Sequence, residues 1–232
     1  MNAMLLAAGR GERMRPLTDH CPKPLLKAGG KSLLDWHLGH LQAAGCQRVV
    51  VNTAWLGNQI KAHLSSTSCE DMEIVLSDEG GQALETAGGV IQALPLLGDQ
   101  PFWLVNGDVW SDFAWHQLPV PAHAQASIVL VSNPAHHPEG DFFFNAGRVH
   151  NTGPGQRMTY AGMGYFDPAF FANLTGGVQP LGPLLRAAAT ERRLSGVRHV
   201  GAWWDVGTPS RLAELDQWLR CEELPPDPST PQ

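Results

Sequence analysis

Apolar residues in this chain fall into two alternating patterns. Short unbroken runs at 3–8, 48–52, 73–77, 101–105 and 127–132 lack the in–out alternation of a half-exposed strand. Such runs read as strands covered on both faces, as parallel strands are. Between them, apolar residues recur every three or four positions, as on one face of a helix. Leu33, Leu34, Leu38 and Leu41 form one such stripe, opened by Ser32 as N-cap with Asp35 three places on and closed by Gly45. Ile60 and Leu64 face inward on a second helix over 56–64, and Val90, Ile91, Ala93 and Leu94 mark a third. The order strand–helix–strand–helix–strand predicts right-handed crossovers between parallel strands, an α/β class. Further on, 160–166 and 197–204 read as strands and Asn145-Ala146-Gly147 as a hairpin turn; residues 150–157 read as a loop. Helices are expected over 181–192 and from a Thr208 cap with Pro209 at its first position through Leu219. Residues 221–232, proline-rich and polar from Pro225, read as a flexible tail.

Charge changes this picture only at the amino end. Residues 1–31 hold six basic and two acidic residues, in a chain of net charge −6. Beside them stands Gly9-Arg10-Gly11-Glu12-Arg13, a glycine turn placed just where the first strand stops. Glycine admits close approach of a ligand to the backbone, so the combination suits a small polyphosphate. Met14 stands where a dinucleotide fingerprint needs its third glycine, and no Gly-Lys-Ser/Thr closes a Walker loop. Nucleic acid is not expected as a partner, because basic residues form no extended stripe. Four cysteines without a Cys-x-x-Cys pair argue against disulfides and structural zinc and favour a reducing cytoplasm. No stretch has the length of a membrane span, and the first apolar run lacks a basic leader.

Two carboxylates close apolar strands next to glycine: Asp108 in Asn106-Gly107-Asp108, and Asp205 in Asp205-Val206-Gly207. Ligands bind at such strand ends in open α/β sheets. No basic neighbour in sequence balances Asp108, so a divalent cation is its natural counterpart. A turn former or helix cap is the plainer reading of each acid. The adjacent His136 and His137, with no third ligand near, read as exposed loop imidazoles.

The stretch Leu6-Ala7-Ala8-Gly9-x-Gly11-x-Arg13-x-x-Pro16-Leu17, followed by Pro22-Lys23-Pro24-Leu25, resembles the signature of the sugar-1-phosphate nucleotidylyltransferases. That resemblance covers residues 1–220 and implies a single catalytic domain over them. The fold it implies is Rossmann-like, with a mostly parallel central sheet and helices on both faces. It makes Arg13 and Lys23 the catalytic cations. Gly9, Gly11, Glu12 and Gly88 join them at the nucleotide, and Asn106, Gly140 and Gly162 lie at the sugar. Asp108 and Asp205 would hold Mg2+. Ser32 departs from the proline that relatives commonly carry there.

Three stretches, 51–57, 104–110 and 133–138, look most like those of members that use UTP and N-acetylmuramate 1-phosphate in cell-wall recycling. Mannose-1-phosphate guanylyl transfer and glucose-1-phosphate thymidylyl or uridylyl transfer would use the same residues and stay open. So does a non-catalytic nucleotide-sugar sensor, although a sensor could lose the metal carboxylates without losing its fold. The chain stops one helix after Asp205, the extent of a minimal catalytic domain. The sequence leaves its oligomeric state undetermined.

Overall fold

A computed structural model describes residues 1–67, 69, 71–118 and 124–221. Its strands in chain order are β1 (Asn2–Leu6), β2 (Lys27–Ala28), β3 (Lys31–Ser32), β4 (Arg48–Thr53), β5 (Glu73–Asp78), β6 (Phe102–Asn106) and β7 (Val109–Ser111), then β8 (Ala126–Val131), β9 (Phe142–Asn145), β10 (Arg148–His150), β11 (Gln156–Phe166), β12 (Leu194–Arg198) and β13 (Trp203–Asp205). The α-helices are α1 (Leu33–Ala43), α2 (Gly57–Ser65), α3 (Glu85–Leu97), α4 (Leu181–Thr190) and α5 (Pro209–Cys221).

Among the described residues nine strands form one sheet, in the order β5-β4-β1-β6-β11-β8-β12-β10-β9. The first four are parallel, as the apolar runs predicted. Past β6 the sheet becomes mixed, because β11 runs antiparallel to both β6 and β8 while β12 returns parallel to β8. Alternate residues of each buried strand face opposite cores. Ala3, Leu5, Val49, Val51 and Val105 meet Leu34, Leu38 and Leu41 of α1 and Ile60 of α2. Met4, Val50, Phe102 and Leu104 meet Ala87, Val90 and Ala93 of α3 and Leu185 of α4. Both faces are therefore covered by helices, which explains why these strands carry no polar side. A third core joins Leu212 and Leu215 of α5 to Met14, Leu33, Trp110 and Val206, and so pins the last helix beside the glycine turn.

The capping box at α1 forms as read: Asp35 N donates to Ser32 Oγ at 3.0 Å. Asn145-Ala146-Gly147 is a hairpin turn between β9 and β10, with Ala146 and Gly147 both at positive φ. The single strand expected over 197–204 is two. β12 stays in the main sheet, whereas β13 leaves it to pair with the unforeseen β7. β11 begins at Gln156, so the loop expected over 150–157 is shorter. The four cysteines are free. Among the described residues, no helix is long and apolar enough to cross a membrane. Helix α5 reaches Cys221, one residue into the expected tail; 222–232 lie outside the described residues.

His37 of α1 is buried behind β7, and burial pushes its imidazole down to about 4. Between pH 6.5 and about 4 the unfolded chain binds a proton that the folded chain refuses, so acidification destabilises the fold. The expected slope is up to ~1.4 kcal/mol per pH unit in that window. Urea midpoints measured across it check this: His37→Gln should flatten the dependence, and an unchanged slope would place its origin elsewhere.

Candidate active site

The chain crosses the carboxyl edge of the sheet directly after β1. Gly11 takes the left-handed conformation (φ 66°), and an added Cβ would lie 3.1 Å from Thr18 Cγ2. A 3-10 turn, Glu12–Met14, follows. Its neighbouring cations divide into two kinds. Arg10 lies over the Trp55 ring, with its Cζ 3.8 Å from the ring centre, and donates to Thr18 O and Asp19 Oδ1. Arg15 donates to the same carboxylate. The Arg10 hydrogen bond chiefly holds the Asp19 carboxyl below its ordinary range. These two arginines brace the turn. Arg13 has no such partner among the described residues and lines the cavity beside it.

Lys23 opens a second 3-10 turn between Pro22 and Pro24 and is only 8% exposed. Its Nζ reaches Asp108 Oδ2 at 2.7 Å. The expectation that Asp108 lacks a basic partner is therefore corrected: that partner comes from 85 positions earlier. Asp108 is placed by Gly107, which slides past the end of β1. Gly107 N donates to Leu6 O at 2.9 Å, and a Cβ there would come 2.5 Å from the same oxygen. Asp205 comes alongside because β13 pairs with β7, setting Asp205 against Val109, and Val206 N donates to Asp108 O at 2.8 Å.

Two cavities meet at these carboxylates. One, of about 360 Å³, is lined by residues 6–9 and 11–14, Lys23, Asn52, Glu79, Glu85, Thr86 and Gly207. The other, of about 370 Å³, is lined by His136, His137, 159–162, Trp203 and Asp205. Arg13, Asn106 and Asp108 line both, so the cavities are two halves of one cleft. The Oδ1 of Asn106 is buried there without a partner among the described residues.

Gly9, Gly11, Glu12, Arg13 and Lys23 stand on the first cavity as expected. Glu12 leans toward Arg10 and Arg15, at 3.7 and 3.9 Å. Gly162, at φ 73°, lines the second cavity, where an added Cβ would sit 2.9 Å from Asn106 Nδ2. Two glycines are placed differently. Gly88 packs on the 177–179 backbone, donating to Gln179 O, so Glu85 and Thr86 form that wall instead. Gly140 packs against the Asn133 side chain and shapes the loop rather than the cavity wall. His136 and His137 are not idle imidazoles. His136 meets Asp205 and Arg211, and His137 meets Asp141 Oδ1 at 3.2 Å.

Sequence reasoning missed three participants. Asn52 is buried at the end of β4, where its Oδ1 accepts from Ala7 N at 2.6 Å and its Nδ2 donates to Glu79 Oε1. Glu79 in turn accepts from Leu84 N, tying both walls of the first cavity together. A lone amide ending a valine run was the available signal. Arg211 donates to Asp205 Oδ2 at 2.6 Å from the first turn of α5, and nothing local marked it.

Among the described residues no three His, Cys, Asp or Glu side chains cluster as a complete metal cage. Asp108 and Asp205 each bind their cation through Oδ2, and among the described residues no hydrogen bond occupies either Oδ1. Two carboxylate oxygens facing a phosphate site fit Mg2+, which takes one or two carboxylates and completes its shell with water and phosphate oxygen.

A glycine turn, two cations and two carboxylates, one just past β6 and one closing β13, line this cleft, and the chain belongs to the nucleotidyl transferase family, whose model matches residues 2–143. It is 47% identical over 223 residues, 92% of this chain and 96% of the relative, to an N-acetylmuramate alpha-1-phosphate uridylyltransferase of Neisseria meningitidis serogroup B. A protein of the same description from Caulobacter vibrioides is 36% identical, covering 91% of this chain and 97% of its own length. The crystal structure of HddC from Yersinia pseudotuberculosis complexed with GMP-PN shares the fold with a TM-score of 0.77, at 15% identity over 94% of this chain and 98% of that one.

Gly162→Ala tests the second cavity. The added methyl meets Asn106 at a backbone angle that alanine resists, so a stability loss of ~1 kcal/mol or more is expected. The KM for a sugar 1-phosphate should rise about fivefold to tenfold while that for the nucleotide changes little. Equal changes in both constants would detach Gly162 from the sugar.

Proposed function

We propose that this protein transfers a uridylyl group from UTP to N-acetylmuramate 1-phosphate, giving UDP-N-acetylmuramate and pyrophosphate. The observation that carries this reading is a cleft of two cavities in which Arg13 and Asp108 line both, Lys23, bonded to Asp108, lines the first, and Asp205 lines the second. The choice of base and sugar follows the relatives that match over most of their length.

The sugar phosphate is already an anionic nucleophile, so no general base is needed. One of its oxygens attacks the α-phosphorus of UTP, and the bond from that phosphorus to the bridging oxygen breaks as pyrophosphate leaves. The difficulty is bringing two anions into line and neutralising the charge that develops on the α-phosphate and the leaving group. Backbone amides of Gly9–Arg13 and the unpaired Arg13 guanidinium hold the triphosphate. Lys23, fixed in direction by its flanking prolines, meets the α-phosphate. Asn106 and Gly162 seat the sugar side. Mg2+ held by Asp108 and Asp205 supplies further neutralisation of phosphate oxygens when bound. Residues 1–220 act as one catalytic domain in a cytoplasmic enzyme of peptidoglycan recycling.

Pyrophosphate release measured for UTP, TTP and GTP, each with N-acetylmuramate 1-phosphate, glucose 1-phosphate and mannose 1-phosphate, tests the reading. UTP with N-acetylmuramate 1-phosphate should give the highest kcat/KM. A higher value for another pair would reassign the substrates, and no release from any pair would leave a binding protein.

A further inference from the structure

We propose that Arg211 is a third phosphate-binding residue, one that contacts the phosphate of the sugar 1-phosphate directly. This rests on the nucleotidyl-transfer reading above, though not on which sugar is used.

Each carboxylate at the junction is matched by a cation on its far side: Lys23 with Asp108 at 2.7 Å, and Arg211 with Asp205 at 2.6 Å. The two pairs cancel locally. Among the cations of the glycine turn only Arg13 is then left for a triphosphate and a second phosphate dianion. Arg13 lines both cavities and is shared between the two anions, so a cation for the sugar phosphate alone would have to come from Arg211.

The guanidinium is built to do so. Its side chain is 15% exposed, and Nη1 alone serves both Asp205 Oδ2 and His136 Nε2, at 2.6 and 2.7 Å. Nε approaches Thr208 Oγ1 at 3.4 Å. None of these bonds uses Nη2. That nitrogen lies against Gly207, where any Cβ would collide with it, and Gly207 is part of the wall of the first cavity. His136, on the other flank, lines the second. Arg211 itself lines neither cavity, but it is held between Gly207 of the first and His136 and Asp205 of the second, and no described residue takes the two N–H groups on Nη2. An arginine fork presents paired donors to phosphate oxygens, which an ammonium does not. A residue that only steadied Asp205 would have no need of the second bond to His136 on the opposite wall.

The test is calorimetric binding of N-acetylmuramate 1-phosphate and glucose 1-phosphate in the presence of a chelator, alongside Mg2+-dependent turnover. Arg211→Met should weaken metal-free binding of both sugar phosphates about tenfold or more, with Arg211→Lys intermediate and UTP binding less affected. Unchanged metal-free affinity, with only a higher Mg2+ requirement, would overturn the proposal and leave Arg211 as a positioning residue for Asp205. A loss confined to N-acetylmuramate 1-phosphate would also overturn it, because the guanidinium would then be reading the sugar's own carboxylate. Should Arg211→Met fail to fold, Arg211→Lys and Arg211→Gln carry the same comparison. Wild-type protein that binds neither sugar phosphate, even with Mg2+, sinks the transferase reading as well, an outcome distinct from a failure of Arg211 alone.

Discussion

Lys23→Ala should lower kcat by about 10²–10³-fold, with a much smaller change in UTP affinity. The size follows from how the side chain is held. Lys23 is almost wholly buried, its backbone is fixed by prolines on both sides, and its Nζ sits 2.7 Å from Asp108 on the wall of the first cavity. Water cannot readily replace a cation in such a place. Alanine removes the positive charge aimed at the α-phosphate and leaves the Asp108 carboxylate without its partner. A charge already in position lowers the barrier because nothing must reorganise as the transition state forms. Single-turnover rates separate this from a binding defect. A loss of less than about tenfold would take Lys23 off the catalytic residues. Arg in its place should not rescue fully, since a planar fork does not reproduce the point charge that Nζ sets 2.7 Å from Asp108.

Asp108→Asn should abolish Mg2+-dependent turnover, a loss of at least about 10³-fold, while circular dichroism stays that of the wild type. Asparagine has nearly the shape of aspartate, and its amide oxygen can still accept from Lys23, so the local geometry survives. What disappears is a negative oxygen of the pair shared with Asp205. The backbone contacts that fix residue 108, Gly107 N to Leu6 O and Val206 N to Asp108 O, do not involve the side chain. Turnover within about tenfold of wild type would show that the ion is held elsewhere or is not needed. Titration of Mg2+ against rate, with pyrophosphate as the readout, distinguishes a weaker site from a lost one.

The half of the site that lies close together in sequence was readable. Gly11 needs its left-handed conformation, Lys23 its two prolines and Asp108 its strand end, and each requirement leaves a mark on adjacent residues. The apolar runs also revealed the parallel strands, because burial on both faces removes every polar position from them. What stayed hidden depends on contacts between distant segments. β7 and β13 are three residues each, and they find one another across more than ninety positions, so no local pattern announces them. Arg211 looks like any charged residue on the outer face of an amphipathic helix until β13 brings Asp205 beneath it. The histidine pair reads in the sequence as exposed loop imidazoles. Each nevertheless meets an acid, and the one facing His136 lies 69 positions away. Gly88 misled for a related reason: its smallness serves the approach of the 177–179 backbone, and sequence cannot say whether a small residue makes room for a ligand or for the protein itself.

The long strand β11 has a consequence for how the molecule works. It bonds to β6, β8 and β9, so that Gly162 on the wall of the second cavity and Asn106, which lines both, ride on neighbouring strands of one sheet. Such a frame has no hinge line, and the two half-cavities cannot swing apart as separate lobes do. Admission of substrates and escape of pyrophosphate therefore fall to the edges of the cleft, above all to the 133–141 segment, whose His136 is fastened to the far wall by a single side-chain latch.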